Sequence, residues 1–264
     1  MRAGVLNDLT KCIGCGACAA ACKQINNLPR GKASQLEADT WTYVDYRHNT
    51  FIRRMCMHCL EPTCASVCPV GALRKTETGA ITYDASRCIG CRYCVMACPF
   101  DIPKYQWDRA LPITQKCVLC YEKRLKQGEE PACTAVCPTG ATLFGDRDAL
   151  IREAERRIRE NPEQYVPHIY GLREAGGTSV LYLSPVPFEE LGFKTGVRDE
   201  AYPELTWGVL SKTPFIVSFG AAVLFGLSWV INRRIQLAAL TSVEAVADAE
   251  VAAESESGEG GEPQ

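Results

Sequence analysis

Sixteen cysteines dominate the chemistry available to this 264-residue sequence, and all of them fall into four groups of four. Each group begins with a C-x2-C pair and ends with a C-x3-C pair. In chain order, quartets one to four are Cys12, Cys15, Cys18 and Cys22; Cys56, Cys59, Cys64 and Cys68; Cys88, Cys91, Cys94 and Cys98; and Cys117, Cys120, Cys133 and Cys137. Thiols at this density indicate either disulfide bonds or metal ligation.

The spacing favours iron–sulfur clusters. Quartets one and three read C-x2-C-x2-C-x3-C, the run by which bacterial ferredoxins hold [4Fe–4S] clusters. Quartets two and four have longer central spacers, of four and twelve residues. Disulfide scaffolds are small and rarely contain four C-x2-C starts, and zinc ribbons usually place two such pairs far apart. We therefore predict four [4Fe–4S] clusters with all sixteen cysteines as iron ligands.

Two local features support this interpretation. The motif CIGC occurs twice, and its Gly14 and Gly90 suit a backbone that turns sharply beside a cluster. VCPVGA (67–72) and VCPTGA (136–141) mark an internal duplication. Proline follows the last cysteine in three quartets, whereas Lys23 follows it in the first.

In two-cluster ferredoxins the fourth cysteine of a quartet ligates the other cluster. Quartets two and three are neighbours in sequence and can form one such pair, which leaves quartets one and four to form the other. We name the expected ligand sets A to D. Set A is Cys12, Cys15, Cys18 and Cys137; set B is Cys22, Cys117, Cys120 and Cys133; set C is Cys56, Cys59, Cys64 and Cys98; and set D is Cys68, Cys88, Cys91 and Cys94.

We predict an α+β fold in which the two quartet pairs form two linked bacterial-ferredoxin-like dicluster domains. A single C-terminal transmembrane helix is expected to follow them. The expected boundaries are 1–55 with 105–145 for the domain of quartets one and four, 56–104 for quartets two and three, 146–206 for an extension, 207–235 for the transmembrane helix, and 236–264 for an acidic, disordered tail.

Three further elements are predicted from residue patterns. TWTYVDYRHNTFIRR alternates ring and polar residues, so we expect two strands with a turn near Asn49. GDRDALIREAERRIRENP has helical periodicity, with Asp146 or Asp148 as its cap and Pro162 beyond its end. GGTSVLYLS predicts a short buried strand.

Residues 214–231 carry no charge over eighteen positions, enough for a helix of about 27 Å. A buried core helix is the alternative, but a membrane span is favoured because a complete soluble domain precedes it. Arg233 and Arg234 follow the span, which favours a cytoplasmic C-terminal side and an outer, periplasmic side for the clusters. MRAGVLND lacks a signal sequence, so we expect export with a signal-bearing partner.

Other classes of activity find no support. A net charge of −2 argues against nucleic-acid binding. The sequence has three histidines, His48, His58 and His168, and no HExxH, P-loop or GxGxxG motif after a strand. For His58, within CMHC, we expect packing or a hydrogen bond to cluster sulfur. We predict no catalytic residue, so the chemistry at substrate belongs to another polypeptide.

Several motifs resemble those of a known family: CIGCGACAAACK, RRMCMHCLEPTCASVCPVGAL, CIGCRYCVMACPFDIPKY, KCVLCYEKRLKQGEEPACTAVCPTGA and GGTSVLYL, ahead of a single span. Over roughly residues 5–234 the chain is similar to the four-cluster subunits of membrane-bound respiratory oxidoreductases, namely the formate dehydrogenase β subunit and the iron–sulfur subunit of hydrogenase-2-type [NiFe] hydrogenases. The resemblance implies electron transfer from a catalytic large subunit, with a [NiFe] or molybdopterin-type centre and in some complexes a small iron–sulfur subunit, to an integral quinone or haem b subunit.

Two other functions stay open from the sequence. A membrane-tethered polyferredoxin would act as a redox binding module or sensor, although a sensor needs only one labile cluster. A zinc-stabilised assembly scaffold would lack the visible absorbance of iron–sulfur charge transfer.

Overall fold

The first strand, β1 (Ala3–Asp8), is the middle strand of the main sheet in the computed structural model, which describes residues 2–31, 34–110 and 112–257. It pairs antiparallel with β8 (Thr142–Asp146) and parallel with β9 (Val180–Leu183). All four residues of β9 are buried, which confirms the predicted short buried strand. The segment expected as a separate extension thus completes the sheet that begins before quartet one.

Four short helices follow the cysteine loops: α1 (Ala17–Ile25), α2 (Thr63–Ser66), α3 (Tyr93–Ala97) and α4 (Ala132–Ala135). Helix α1 packs against α4, and α2 packs against α3. These helix pairs join quartet one to quartet four and quartet two to quartet three. Each pair, with its strands, forms a ferredoxin-like dicluster unit, and both units lie within the compact part of the chain that ends at Thr206.

Three antiparallel hairpins complete the strands. β2 (Thr42–Arg47) pairs with β3 (Thr50–Met55), β4 (Leu73–Lys75) with β5 (Ile81–Tyr83), and β6 (Lys104–Tyr105) with β7 (Thr114–Gln115). The first hairpin confirms the predicted pair of strands, and its two turn residues, His48 and Asn49, both have positive φ. A two-residue turn with this backbone matches the right-handed twist of the strands that it joins.

Helix α5 (Arg147–Glu160) lies where the helical periodicity predicted it. Asp146 caps it, because its Oδ1 accepts from the backbone N–H groups of Asp148 and Ala149 at 3.1 and 3.4 Å. Of the two candidate caps, Asp146 is therefore the one used. The buried face of α5 packs in one cluster with apolar residues of β1 and β9.

The main apolar core lies between β1, β3 and β9 and contains cysteines as well as aliphatic and aromatic side chains. Cys56, Cys59 and Cys117 belong to it, beside Ile52 and Tyr182. Thiols from quartets two and four are thus inside the protein, away from water.

The C-terminal part of the chain is helical: α6 (Tyr202–Leu210) is followed by α7 (Thr213–Ser257). Within the described residues, one helical stretch, Tyr202–Thr241, is long and apolar enough to cross a membrane, and an 18-residue window inside it has a mean hydropathy of 2.0. The predicted span, 214–231, lies inside α7.

The tail differs from its prediction. Composition predicted disorder for residues 236–264, but α7 continues through Ser257, so the prediction is wrong for 236–257. This segment is rich in alanine, the residue with the highest helix propensity, and contains no proline or glycine before Gly258. Residues 258–264 lie outside the described residues.

Candidate iron–sulfur centres

All four quartets share one local layout. The first two cysteines lie in a loop, the third lies on a short helix, and the fourth lies one turn later. In α1 the third and fourth positions are Cys18 and Cys22, which are about 6 Å apart along the helix axis. This displacement lets the fourth thiol face a different centre from the first three.

A cavity brings the four cysteines of set A together. Its lining includes Cys12, Cys15 and Cys18 from quartet one and Cys137 from quartet four. A second cavity is lined by the four cysteines of set D, with Cys68 from quartet two and the others from quartet three. In both cavities, the fourth cysteine of one quartet completes the group formed by its partner quartet.

The thiols of sets B and C lie close enough to influence one another electrostatically. Burial, and after it the charges on Cys133 and Cys120, raise the pKa of Cys22 to about 12. Burial likewise raises the pKa of Cys59 well above its ordinary value, with further contributions from Cys56, Cys98 and Cys64. These thiols resist ionisation on their own, and metal binding is what stabilises buried thiolates.

Electrostatic contacts between sets give their spatial order. Burial is the largest cause of the raised pKa of Cys18 in set A, and the charge on Cys133 of set B raises that pKa further. Burial is likewise the largest cause of the raised pKa of Cys117 in set B, and Cys56 of set C adds to it.

Between sets C and D the corresponding pair is Cys64 and Cys94. Burial raises the pKa of Cys64 to about 12, Lys116 opposes this rise, and the charge on Cys94 adds to it. The neighbouring sets therefore run A, B, C, D.

Exposure to solvent follows the same order. Cys15 of set A and Cys91 of set D are exposed, whereas every cysteine of set B is buried. In set C three thiols are buried and Cys98 is intermediate. Sets A and D thus lie at the surface, and sets B and C lie inside.

The two CIGC glycines have the backbone that the sequence predicted. Gly14 has φ +71° and Gly90 has φ +68°, in the left-handed region that favours glycine. A Cβ on Gly14 would lie 2.5 Å from the ring of Phe51, and one on Gly90 would lie 2.9 Å from the carbonyl oxygen of Pro112. Glycine is therefore required at both positions for steric as well as conformational reasons.

Hydrogen bonds reach several of the sulfurs. The backbone N–H of Ala72 donates to Sγ of Cys68 at 3.2 Å, and Asn26 Nδ2 donates to Sγ of Cys22 at 3.7 Å. For Cys88, burial raises the pKa, but the backbone N–H groups of Thr114 and Gly90 contribute to lowering it overall. Such donors stabilise negative charge on sulfur and tune the reduction potential of a bound cluster.

Two buried cations next to these sets were not recognised as functional from the sequence. Lys116 is 2% exposed, and its Nζ donates to the carbonyl oxygens of Ile81 and Cys117 at 2.6 and 2.8 Å. Arg53 is 3% exposed; burial lowers its pKa, but the thiolates of Cys133 and Cys18 raise it overall. Lys116 precedes the first cysteine of quartet four, and Arg53 lies in the second strand of the predicted hairpin. The residues next to them in sequence do not distinguish a buried Lys or Arg from a solvated one.

His58 is fully buried within the CMHC motif. Its Nδ1 accepts from the backbone N–H of Ile81 at 3.0 Å, and its Nε2 has no hydrogen-bond partner within residues 2–31, 34–110 and 112–257. Burial, then the charge of Lys116, lowers the pKa of His58 well below 6.5, so the ring is neutral. The burial of His58 and its contact with the backbone of Ile81 agree with packing, one of the two roles expected for this residue.

The donor sets fit iron–sulfur clusters. They consist of soft thiolates, the ligand type that such clusters prefer. Within residues 2–31, 34–110 and 112–257, no group of three or more His, Cys, Asp or Glu side chains is arranged to hold a single metal ion.

Comparison with known proteins agrees with this chemistry. Two family models, each described as a 4Fe-4S dicluster domain, match residues 11–72 and 47–147. The hydrogenase-2 operon protein HybA of Escherichia coli O157:H7 is 37% identical over 249 residues, which cover 75% of this chain and 76% of HybA. The chain belongs to the 4Fe-4S dicluster family of electron-transfer subunits.

Other members of this dicluster family are also similar. The thiosulfate reductase electron transfer subunit PhsB of Salmonella typhi is 43% identical over 147 residues, covering 54% of this chain and 76% of PhsB. The iron-sulfur subunit of the nitrate-inducible formate dehydrogenase of Escherichia coli (strain K12) is 33% identical over 198 residues, covering 67% of this chain and 66% of that subunit. This dicluster protein is therefore an iron–sulfur electron-transfer subunit of the respiratory oxidoreductase type.

Proposed function

We propose that this protein relays electrons through four [4Fe–4S] clusters, held by sets A to D, between a catalytic subunit and a membrane quinone-reactive subunit. Bound clusters of this type supply one-electron transfer. The observation that carries the proposal is the arrangement of the sets: A and D have exposed cysteines, and B and C connect them through the interior. A chain of centres with two accessible ends is what a relay between two partners requires.

Exposed apolar side chains next to the two end sets support docking of protein partners there. Ile13, between Cys12 and Cys15 in sequence, is 57% exposed. Beside set D, Ile89, Tyr93 and Met96 are also exposed. Aromatic residues and Met are enriched at protein interfaces, and a docked partner would exclude water from the exposed thiols.

A hydrogenase-type catalytic subunit with a [NiFe] centre is the first candidate donor. The similarity to HybA extends over 75% of this chain, compared with 67% for the formate dehydrogenase subunit and 54% for PhsB. A formate dehydrogenase with a molybdopterin-type centre is the second candidate. On the membrane side we propose an integral quinone or haem b subunit as the acceptor.

Helix α7 is proposed as a single-pass anchor. Its apolar side chains, including those of Phe215, Phe219 and Leu224, are exposed at the surface of the helix. Burying such a surface in lipid or against an integral subunit is strongly favourable. Arg233 and Arg234 would lie on the cytoplasmic side, with the clusters on the outer side.

Two measurements on the native complex test this function. Anaerobically purified protein is expected to hold about sixteen iron atoms per chain, with electron paramagnetic resonance (EPR) signals from four [4Fe–4S] clusters on reduction. Zinc in place of iron, or iron for only two clusters, would contradict the proposal. Affinity purification in mild detergent is expected to recover a catalytic subunit and an integral subunit. Recovery of iron-loaded chain alone would favour the polyferredoxin alternative.

A further inference from the structure

Two buried N–H donors at the set A cavity have no hydrogen-bond partner among the described residues. They are Nη2 of Arg53 and Nδ2 of Asn7. Both residues line the cavity together with the four cysteines of set A, and they are 3% and 2% exposed. Native proteins rarely leave a buried donor without an acceptor, so two such donors at one place point to a partner that the protein itself does not supply.

The remaining contacts of these side chains fix their orientation. Arg53 Nε donates to Oγ1 of Thr42 at 3.3 Å, and Arg53 Nη1 donates to Oδ1 of Asn7 at 3.2 Å. The same Oδ1 accepts from Oγ1 of Thr142 at 3.4 Å. Reversing the Asn7 amide would set its NH2 group against the Nη1 donor of Arg53, so this contact determines which Asn7 atom is the free donor.

Within the part of the chain that the structure describes, neither donor has a protein acceptor. Among the described residues that line the cavity, Asp8 is the one acid. Its Oδ2 accepts from Nη1 of Arg157 at 2.6 Å and from the hydroxyl of Tyr165 at 2.9 Å. The sulfur atoms of a centre held by set A would supply acceptors inside the cavity that both side chains line.

We propose that Arg53 and Asn7 donate N–H···S hydrogen bonds to the cluster of set A and raise its reduction potential. The inference rests on the proposed function, since it presupposes a cluster there. Hydrogen bonds to sulfur favour the more negative, reduced state, and the permanent charge of Arg53 adds to this effect. In the step that is tuned, one electron passes to this cluster from its neighbour, which is oxidised by one electron, and no bond or proton changes place.

The test is an EPR-monitored redox titration of the complete complex carrying Arg53→Met, which keeps much of the side-chain volume and removes charge and donors. The set A signal is assigned by its loss in Cys12→Ser. At the ambient potential where this cluster is half reduced in the wild type, we expect its reduced-to-oxidised ratio to fall about tenfold, equivalent to about 59 mV for one electron. The signals of sets C and D are expected to keep their midpoints.

Three further variants sharpen the test. Arg54→Met removes the neighbouring arginine as a control. The guanidinium of Arg54 lies 4.3 Å from the ring centroid of Phe193, and Arg54 is not among the residues that line the cavity. All four cluster midpoints of the Arg54→Met protein are therefore expected to match those of the wild type. Arg53→Lys keeps the charge and is expected to retain part of the potential. Asn7→Leu removes the second donor. It is expected to lower the set A midpoint by less than Arg53→Met does.

The inference and the proposed function can fail separately. Fewer than four clusters in the wild-type complex contradicts the proposed function. The inference alone is overturned by a different result. In that case the wild type holds four clusters, and the set A midpoint is unchanged in whichever of Arg53→Met and Asn7→Leu retains its iron. An equal shift at all four centres, or an equal shift in Arg54→Met, overturns the inference as well. Loss of the set A cluster from both variants and from Arg53→Lys would assign these residues to folding and likewise overturn it.

Discussion

Nη1 of Arg157 donates to Oδ2 of Asp8 over 2.6 Å, although 149 positions separate the two residues in sequence. The Asp8 side chain is fully buried and that of Arg157 is 11% exposed. Asp8 ends the strand that leads into quartet one, and Arg157 lies on α5, beyond quartet four. The ion pair therefore joins the segment after the clusters to the start of the first cysteine loop.

Arg157→Met is expected to destabilise the cluster domain by about 3–5 kcal/mol, because it leaves the Asp8 carboxylate buried without its cation. The measurement is the urea midpoint for loss of iron–sulfur absorbance under anaerobic conditions. Arg156→Met is the matched control: Arg156 forms exposed pairs with Glu153 and Glu160, worth about 0–1 kcal/mol. Equal midpoints for the two variants would show that the buried pair has no special role.

Gly14→Ala is expected to prevent loading of the set A cluster. Both Gly14 and Gly16 have positive φ, so alanine at either position costs about 1–2 kcal/mol of backbone strain. A Cβ at Gly14 also meets the ring of Phe51, whereas one at Gly16 has no atom of the described residues within 4 Å. Iron content and the set A signal should therefore survive in Gly16→Ala and fall in Gly14→Ala. Similar loading of the two variants would refute the steric argument.

Cys22→Ser is expected to damage the cluster of set B and to spare that of set A. The buried Cys22 thiol lies in the electrostatic field of Cys133 and Cys120, both from quartet four. Iron content should drop from about sixteen to about twelve atoms per chain, with the set A signal retained. Cys12→Ser is the reciprocal control and should remove the set A signal. If Cys22→Ser instead abolishes the set A signal, the crossed ligand assignment is incorrect.

Deletion of residues 207–264 is expected to release the cluster domain from the membrane and to uncouple substrate oxidation from quinone reduction. Dye-linked activity of the catalytic partner should persist. Deletion of 236–264 is the control, since it keeps the uncharged run 214–231 together with Arg233 and Arg234. A 207–264 deletion that stays with the membrane and still reduces quinone would exclude α7 as the anchor.

An anchor that packs against an integral subunit makes a separate prediction. Gly220 and Gly226 lie on the apolar part of α7, with no atom within 4 Å of a Cβ placed on either. Small residues allow close approach of helices in lipid. Gly220→Leu with Gly226→Leu should weaken co-purification of the integral subunit while membrane association persists, whereas leucine at Val217 and Val223 should leave both unchanged. Full co-purification of the doubly substituted protein would place the helix contact elsewhere.

Much of the local structure and chemistry was predictable because it depends on neighbouring residues. The cysteine spacing specifies the cofactor class, since a cluster needs several thiolates from one short turn. The hairpin around Asn49, the Asp146 cap of α5 and the buried strand β9 followed from turn, capping and periodicity rules. Helix propensity was underestimated in the tail, where alanine outweighed the acidic composition up to Ser257.

The sequence by itself determined the cysteine groups, the glycines that their loops require and the uncharged segment long enough to span a membrane. Only the tertiary structure decided that β9 lies parallel to β1, that Arg157 neutralises Asp8, and that Arg53 is enclosed beside set A. The physical reason is that burial and charge pairing depend on segments far apart in sequence, by 149 positions for Asp8 and Arg157 and by 46 for Asn7 and Arg53. Such contacts leave no periodic pattern or spacing at either end, so a buried arginine and a solvated one look alike in the sequence.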